Sequence, residues 1–137
     1  MNQLILDGHS LTIDQVISVA YDSNVKIQLS ESAKPQIQKA ADAVKAFVDN
    51  KSIVYGITTG FGGFKDRIIS PEHVNCLQQN ILVSHAVGVG DKLDLPTTKA
   101  MMVIRANTLT QGYSGIRLET LEFLINLLNL GIIPVIP

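Results

Sequence analysis

Apolar residues return every three or four positions in five separate stretches of this chain, and that spacing, the period of an α-helix, limits the fold more than any other feature. The longest stripe is Ile37, Ala40, Ala41, Val44, Phe47 and Val48. Ser32 stands ahead of it as a cap, and Pro35 falls in the first turn, where a missing N–H does no harm. Thr12 and Gln15 have capping-box spacing, and Ile13, Val16, Ile17 and Ala20 follow at helical intervals, so a helix is expected over 13–22. Ser70-Pro71 suits an N-cap and first helical residue; Val74, Leu77, Ile81 and Ser84 or His85 follow, with a stop near Gly88. A helix over 97–111 is expected to turn Met101, Ile104 and Leu109 inward. The last, over 116–130, carries Leu118, Leu121, Ile125 and Leu128, with Gly131 as its C-terminal stop.

The β-signal is slight. Residues 3–6 form a short apolar run closed by Asp7-Gly8, Val25 to Leu29 alternates with period two at a sheet edge, and Ile53-Val54-Tyr55 is a brief β-prone run. The fold class is therefore mainly α with short β-strands. Apolar residues make up 46% and charged residues 17%, the opposite of a disordered composition. A chain of 137 residues suits one domain, 1–137, with one core. Its ending, Ile132-Ile133-Pro134-Val135-Ile136-Pro137, cannot continue a helix and is too apolar for a frayed tail. The expectation is a segment of a larger protein.

Composition excludes several functions. A net charge of -1 provides no field for nucleic acid or an anionic membrane. No apolar run approaches the ~18–20 residues that span a bilayer, and the first residues lack a secretory leader pattern. Cys76 is the single cysteine, so neither an internal disulfide nor a multi-cysteine metal site can form, which fits a reducing cytoplasm. His9 and His73 stand in no cluster of ligands, so no metal site is expected.

The richest local signal is Tyr55-Gly56-Ile57-Thr58-Thr59-Gly60-Phe61-Gly62-Gly63. It is neither a P-loop nor a dinucleotide fingerprint, because the lysine and the glycine spacing are missing. Two interpretations stand. The glycines simply permit a tight loop, with Tyr55 closing a buried strand; or a flexible lid presents a tyrosine as general acid or base. Phenols titrate near 10 as a rule, so the second role needs a cationic or dipolar partner. Ser84-His85 presents a similar choice between a helix-terminal cap and a pocket wall. A catalytic Ser–His pair is disfavoured, since neighbours on a helix point about 100° apart and no carboxylate orients the histidine. Arg105, Asn107 and Tyr113 are structural network members by default.

In this order and spacing, YGITTGFGG (55–63), LQQNILVSHAVGVG (77–90) and RANTLTQGYSGIRLE (105–119) resemble the aromatic amino acid ammonia-lyases, the histidine, phenylalanine and tyrosine ammonia-lyase family. The resemblance implies the N-terminal portion of a mainly α, fumarase/aspartase-like helical-bundle enzyme, assembled as a homotetramer. Such enzymes eliminate ammonia from an aromatic amino acid using 4-methylideneimidazole-5-one, made from an internal Ala-Ser-Gly. That tripeptide is absent from this chain, which implies an ending just ahead of it and no activity for these residues alone. No metal or nucleotide is implied. Tyr55 matches the mobile-loop tyrosine that removes the substrate's β-proton. Gly60 and Gly62 match the loop glycines, and Gly56 and Phe61 belong to the same lid. Thr58 departs from the Asn of many histidine-type members. Ser84 and His85 match the ring-discriminating position, where Ser-His is typical of histidine ammonia-lyases; this implies L-histidine as substrate and trans-urocanate as product. Phenylalanine or tyrosine ammonia-lyases, the related aminomutases, and a non-catalytic assembly domain of the same fold are the alternatives.

Overall fold

The computed structural model describes residues 3–65, 67–70 and 73–137. Strand β1 (Gln3–Leu6) is followed by α1 (Ile13–Tyr21) and β2 (Lys26–Leu29). Then come α2 (Lys34–Asp49), α3 (Val74–His85), α4 (Leu95–Thr110) and α5 (Leu118–Leu130). The chain divides into two compact units, Met1–Ala41 with Gly90–Pro137, and Asp42–Val89.

In the first unit β1 and β2 pair in parallel, Gln3 opposite Lys26 and Leu6 opposite Leu29, with α1 as the crossover. Alternation turns Leu4, Leu6 and Ile27 into the core and leaves Ile5 outside. The outer edge of β2 is covered by one side chain. Asn129 accepts the Ile27 N–H at 2.8 Å and donates to the Ile27 carbonyl at 2.8 Å, replacing a third strand. Helix α1 starts with the expected capping box, Gln15 N–H to the Thr12 hydroxyl and Thr12 N–H to the Gln15 side chain. At the end of β1, Asp7 accepts the N–H groups of His9 and Ser10, each at 2.8 Å. These bonds, His9 first, hold its carboxyl down to about 2.

Four expectations for α2 and α4 need correction. Ser32 does not cap α2. A 3-10 turn over Glu31–Ala33 precedes the helix, and the Ser32 hydroxyl lies 2.8 Å from that of Ser30. On α2 only Ile37 is fully buried, while Phe47 is exposed. Helix α4 begins at Leu95, two residues early, because Asp94 caps it by accepting the Thr97 N–H at 2.8 Å, and Pro96 falls in its first turn. Its inward face is also different. Thr98, Met102, Val103, Ala106 and Thr110 are buried, whereas Met101 and Ile104 are about half exposed, at 46% and 49%. The two threonines disguise this face, yet each spends its hydroxyl on its own helix, Thr98 on the Asp94 carbonyl at 3.1 Å and Thr110 on that of Ala106 at 2.8 Å.

The core thus formed packs α4 against α1, α5 and β1, and α5 against β2. Leu121, Ile125 and Leu128 are its α5 contribution, and Gly131 ends that helix at φ 70° as expected. The tail after Gly131 is tied back: Ile133 packs on the core, and Leu93 N–H donates to the Ile136 carbonyl at 2.8 Å. Asn107 on α4 and Gln111, which caps its end, grip Gly8, the first accepting its N–H at 3.0 Å and the second donating to its carbonyl at 2.9 Å.

Candidate functional site

All the residues singled out for chemistry fall in Asp42–Val89. The expected strand at Ile53-Val54-Tyr55 is not formed. Val54 turns its carbonyl to the N–H groups of Ile57 (3.1 Å) and Thr58 (3.0 Å) and its own N–H to the Thr58 hydroxyl at 2.9 Å, which leaves nothing for a ladder. Tyr55 therefore opens a tight turn. Its side chain is 62% exposed, against the expectation for a tyrosine closing a buried strand.

The glycines of this loop act at specific points. Gly56 has φ 72°, and a Cβ there would stand 3.1 Å from Phe61 Cε1. The Phe61 ring meets Tyr55 edge-on, with centroids 6.0 Å apart and planes at 69°. Gly62, at φ 56°, donates its N–H to the Tyr55 hydroxyl oxygen over 3.5 Å. Gly60 is buried and donates to the Arg67 carbonyl at 3.0 Å, and Thr59 forms an antiparallel bridge with Ile68. Tyr55, Gly56, Phe61 and Gly62 are thus brought together, and the Gly62 N–H is the hydrogen bond made to the Tyr55 hydroxyl among the described residues.

Two neighbours not singled out for a role are the best-buried side chains among the described residues of this unit. Thr58 is 7% and Thr59 1% exposed. The Thr58 hydroxyl donates to the Ser52 carbonyl, and the Thr59 hydroxyl accepts the Gly56 N–H at 3.3 Å and donates to the Gly60 carbonyl at 3.1 Å. The signal for them is present in the sequence: paired threonines among glycines are the residues able to bond local backbone.

Ser84 and His85 end α3. The helix begins at Val74, and Pro71, the expected first helical residue, lies outside the described residues, as does the Val74 side chain. Leu77 and Ile81 are half-buried, as their stripe requires. Although adjacent on the helix, the Ser84 hydroxyl and His85 Nδ1 are 3.0 Å apart, because both turn back to the Ile81 carbonyl, at 3.1 and 3.0 Å. A carbonyl only accepts, so His85 Nδ1 carries the proton and Nε2 is left as an exposed acceptor. That tautomer cannot take a proton from Ser84 through Nδ1. No hydrogen bond or ring contact links the pair to Tyr55 among the described residues.

No three His, Cys, Asp or Glu residues gather as metal ligands among the described residues, and no helix there is long and apolar enough to cross a membrane. A cleft of about 530 Å³ in the first unit, lined by Lys26, Lys34 and Glu122 among others, holds none of the sequence-predicted residues. Its charges already pair, Lys34 with Glu31 at 2.7 Å and with Glu122 at 3.4 Å.

The model of one protein family, aromatic amino acid lyase, matches residues 11–137, nearly the whole chain and all of the segments just described. The chain belongs to that family. Among the lyases it is similar to is the histidine ammonia-lyase of Chloroflexus aurantiacus, 53% identical over 139 residues, covering 100% of this chain and 27% of that protein. Among solved structures, histidine ammonia-lyase from Trypanosoma cruzi matches with TM-score 0.85 and 36% identity over 93% of this chain and 25% of the other. A tyrosine aminomutase variant matches at 0.93 and 30%, over 98% and 26%. The chain spans about a quarter of the length of these lyase relatives.

Proposed function

We propose that the full-length protein is a carbon–nitrogen lyase that eliminates ammonia from an aromatic amino acid, with L-histidine, converted to trans-urocanate, as substrate. The observation that carries this is the exposed Tyr55 hydroxyl on a glycine-bearing turn, in a chain 53% identical to a histidine ammonia-lyase.

Tyr55, as phenolate, takes the β-proton. The C–H electron pair becomes the Cα–Cβ double bond, and the amino group leaves with the electrons of the C–N bond. The phenol is exposed, and the Gly62 N–H, 3.5 Å from its oxygen, is the donor that the described residues turn toward the phenolate; the cationic or dipolar partner this role needs falls to the rest of the protein. The 4-methylideneimidazole-5-one electrophile of such lyases makes the amino group a competent leaving group. No Ala-Ser-Gly lies in these residues, so this chain contributes the proton acceptor and the ring contact.

Ring choice falls to His85 and Ser84. The exposed Nε2 acceptor pairs with an imidazole N–H or a phenol O–H, while a phenyl ring leaves it unsatisfied. Histidine is favoured over tyrosine by the names of the relatives and by the Ser-His pair. A homotetramer in the cytoplasm completes the proposal; large apolar side chains left exposed on α3 (Leu82, Val83) and α5 (Phe123, Leu130) support assembly.

Histidine, phenylalanine and tyrosine presented separately to the full-length protein, with absorbance of each unsaturated product followed, test the proposal. Urocanate formation is expected to exceed cinnamate and coumarate by about tenfold or more in kcat/KM. Return of a β-amino acid with no net ammonia identifies an aminomutase, the activity named for the tyrosine aminomutase relative, and no reaction with any of the three leaves an assembly domain.

A further inference from the structure

The phenol of Tyr55 is held by little of its own. Beyond the 3.5 Å bond from Gly62 and the edge of Phe61, nothing in the described residues fixes it. Its position is therefore set by the backbone before and after it, and that backbone is tied on both sides by a buried hydroxyl. The Val54 N–H, one peptide ahead of the Val54–Tyr55 bond, donates to the Thr58 hydroxyl at 2.9 Å, and that hydroxyl also lies 3.4 Å from the Val54 carbonyl. The Gly56 N–H, just after it, is bound at 3.3 Å by Thr59. Both threonines are anchored in turn. The Thr58 carbonyl accepts the Ile69 N–H at 3.0 Å, Thr59 bridges Ile68, and their hydroxyl protons go to the Ser52 and Gly60 carbonyls.

We infer that Thr58 and Thr59 are positioning residues for Tyr55, a pair of hydroxyl clamps that fix the backbone on both sides of the base and so aim its oxygen at the substrate's β-carbon. The inference rests on the proposed elimination. Burial alone does not explain the pair: valine has the same shape and fills the same space, but cannot receive an N–H. With the oxygen gone, the turn keeps its packing and loses its register. Loss of alignment by about an ångström lowers turnover much more than binding, because the ring contacts of Ser84 and His85 lie on another element.

The test is made in the full-length protein with Thr58→Val, Thr59→Val and the corresponding serine variants, beside Tyr55→Phe. Each valine variant is expected to lower kcat about ten- to a hundredfold with KM changed less than about threefold, while assembly matches the parent. Each serine variant, which keeps the oxygen and drops the methyl, is expected to restore most of kcat. Valine variants with parental kcat, beside an inactive Tyr55→Phe, overturn the inference and leave the proposed reaction standing. Serine variants as impaired as valine put the role in packing and overturn it too, even where a valine variant fails to assemble. No ammonia from the parent with any aromatic amino acid overturns both.

Discussion

The two compact units of this chain are held by different means. Met1–Ala41 with Gly90–Pro137 gathers all twelve residues of the buried aliphatic core, from Leu4 and Leu6 on β1 to Leu121, Ile125 and Leu128 on α5. In Asp42–Val89 the buried side chains among the described residues are two threonines, and Leu82, Val83, Val87 and Val89 stand 70–90% exposed. One unit is fixed by excluded water, the other by hydroxyls bonding their own neighbourhood. The difference suits the proposed roles: a scaffold needs burial, while a base that meets a substrate needs an accessible oxygen on a fixed backbone.

Core truncation should separate the units most clearly. Leu121→Ala, at a fully buried position, is expected to cost about 2–5 kcal/mol in urea unfolding, whereas Leu82→Ala on α3 should stay within about 0.5 kcal/mol. An equal loss at both sites would show that α3 is covered. Glycine replacement comes next. At Gly112, φ is 73° and an added Cβ would lie 2.7 Å from Gln36 Cγ and 3.0 Å from the Gln36 and Ile37 backbone, so Gly112→Ala should cost about 3 kcal/mol. Gly62→Ala meets nothing within 4 Å and carries only the positive-φ penalty, about 1 kcal/mol. Thr12→Ala, which opens the capping box of α1, should cost about 1 kcal/mol and be read as a lower thermal midpoint.

The smallest effect is on acid stability. Asp7 is held down to about 2 from an ordinary 3.8 by the His9 and Ser10 N–H groups, and Asp94 is lowered by the side chain and then the N–H of Thr97. Because both folded values lie below the unfolded ones, their contributions are complete above about pH 4 and vanish as pH falls toward 2. Asp7→Ala should therefore lower stability most above about pH 4, pH 7 included, and flatten the further loss of helical circular dichroism as pH falls toward 2.

The helices are legible in the sequence because caps and stripes are local. Thr12 with Gln15, and Gly131 after Leu128, state their roles within a turn or two. The faces of α4 are less legible, since Thr98 and Thr110 look polar until their hydroxyls are seen on carbonyls of the same helix. Ser32 fails as a cap for a related reason: a 3-10 turn ahead of α2 takes the place where it would act. In the candidate site, residue types and spacing leave Tyr55 and Ser84-His85 open between structural and functional readings, the family resemblance singles them out, and neither gives the arrangement. That Tyr55 opens a turn instead of ending a strand depends on where the Val54 peptide sends its two hydrogen bonds. That neighbours on a helix can meet depends on a shared carbonyl at Ile81.

The central claim is that the exposed phenol of the second unit is the base of an ammonia elimination. It is tested most directly by Tyr55→Phe in the full-length protein, with urocanate formed from histidine followed by absorbance and assembly checked by light scattering. The account predicts parental assembly with kcat lowered by about a thousandfold or more. Turnover within about tenfold of the parent would contradict it.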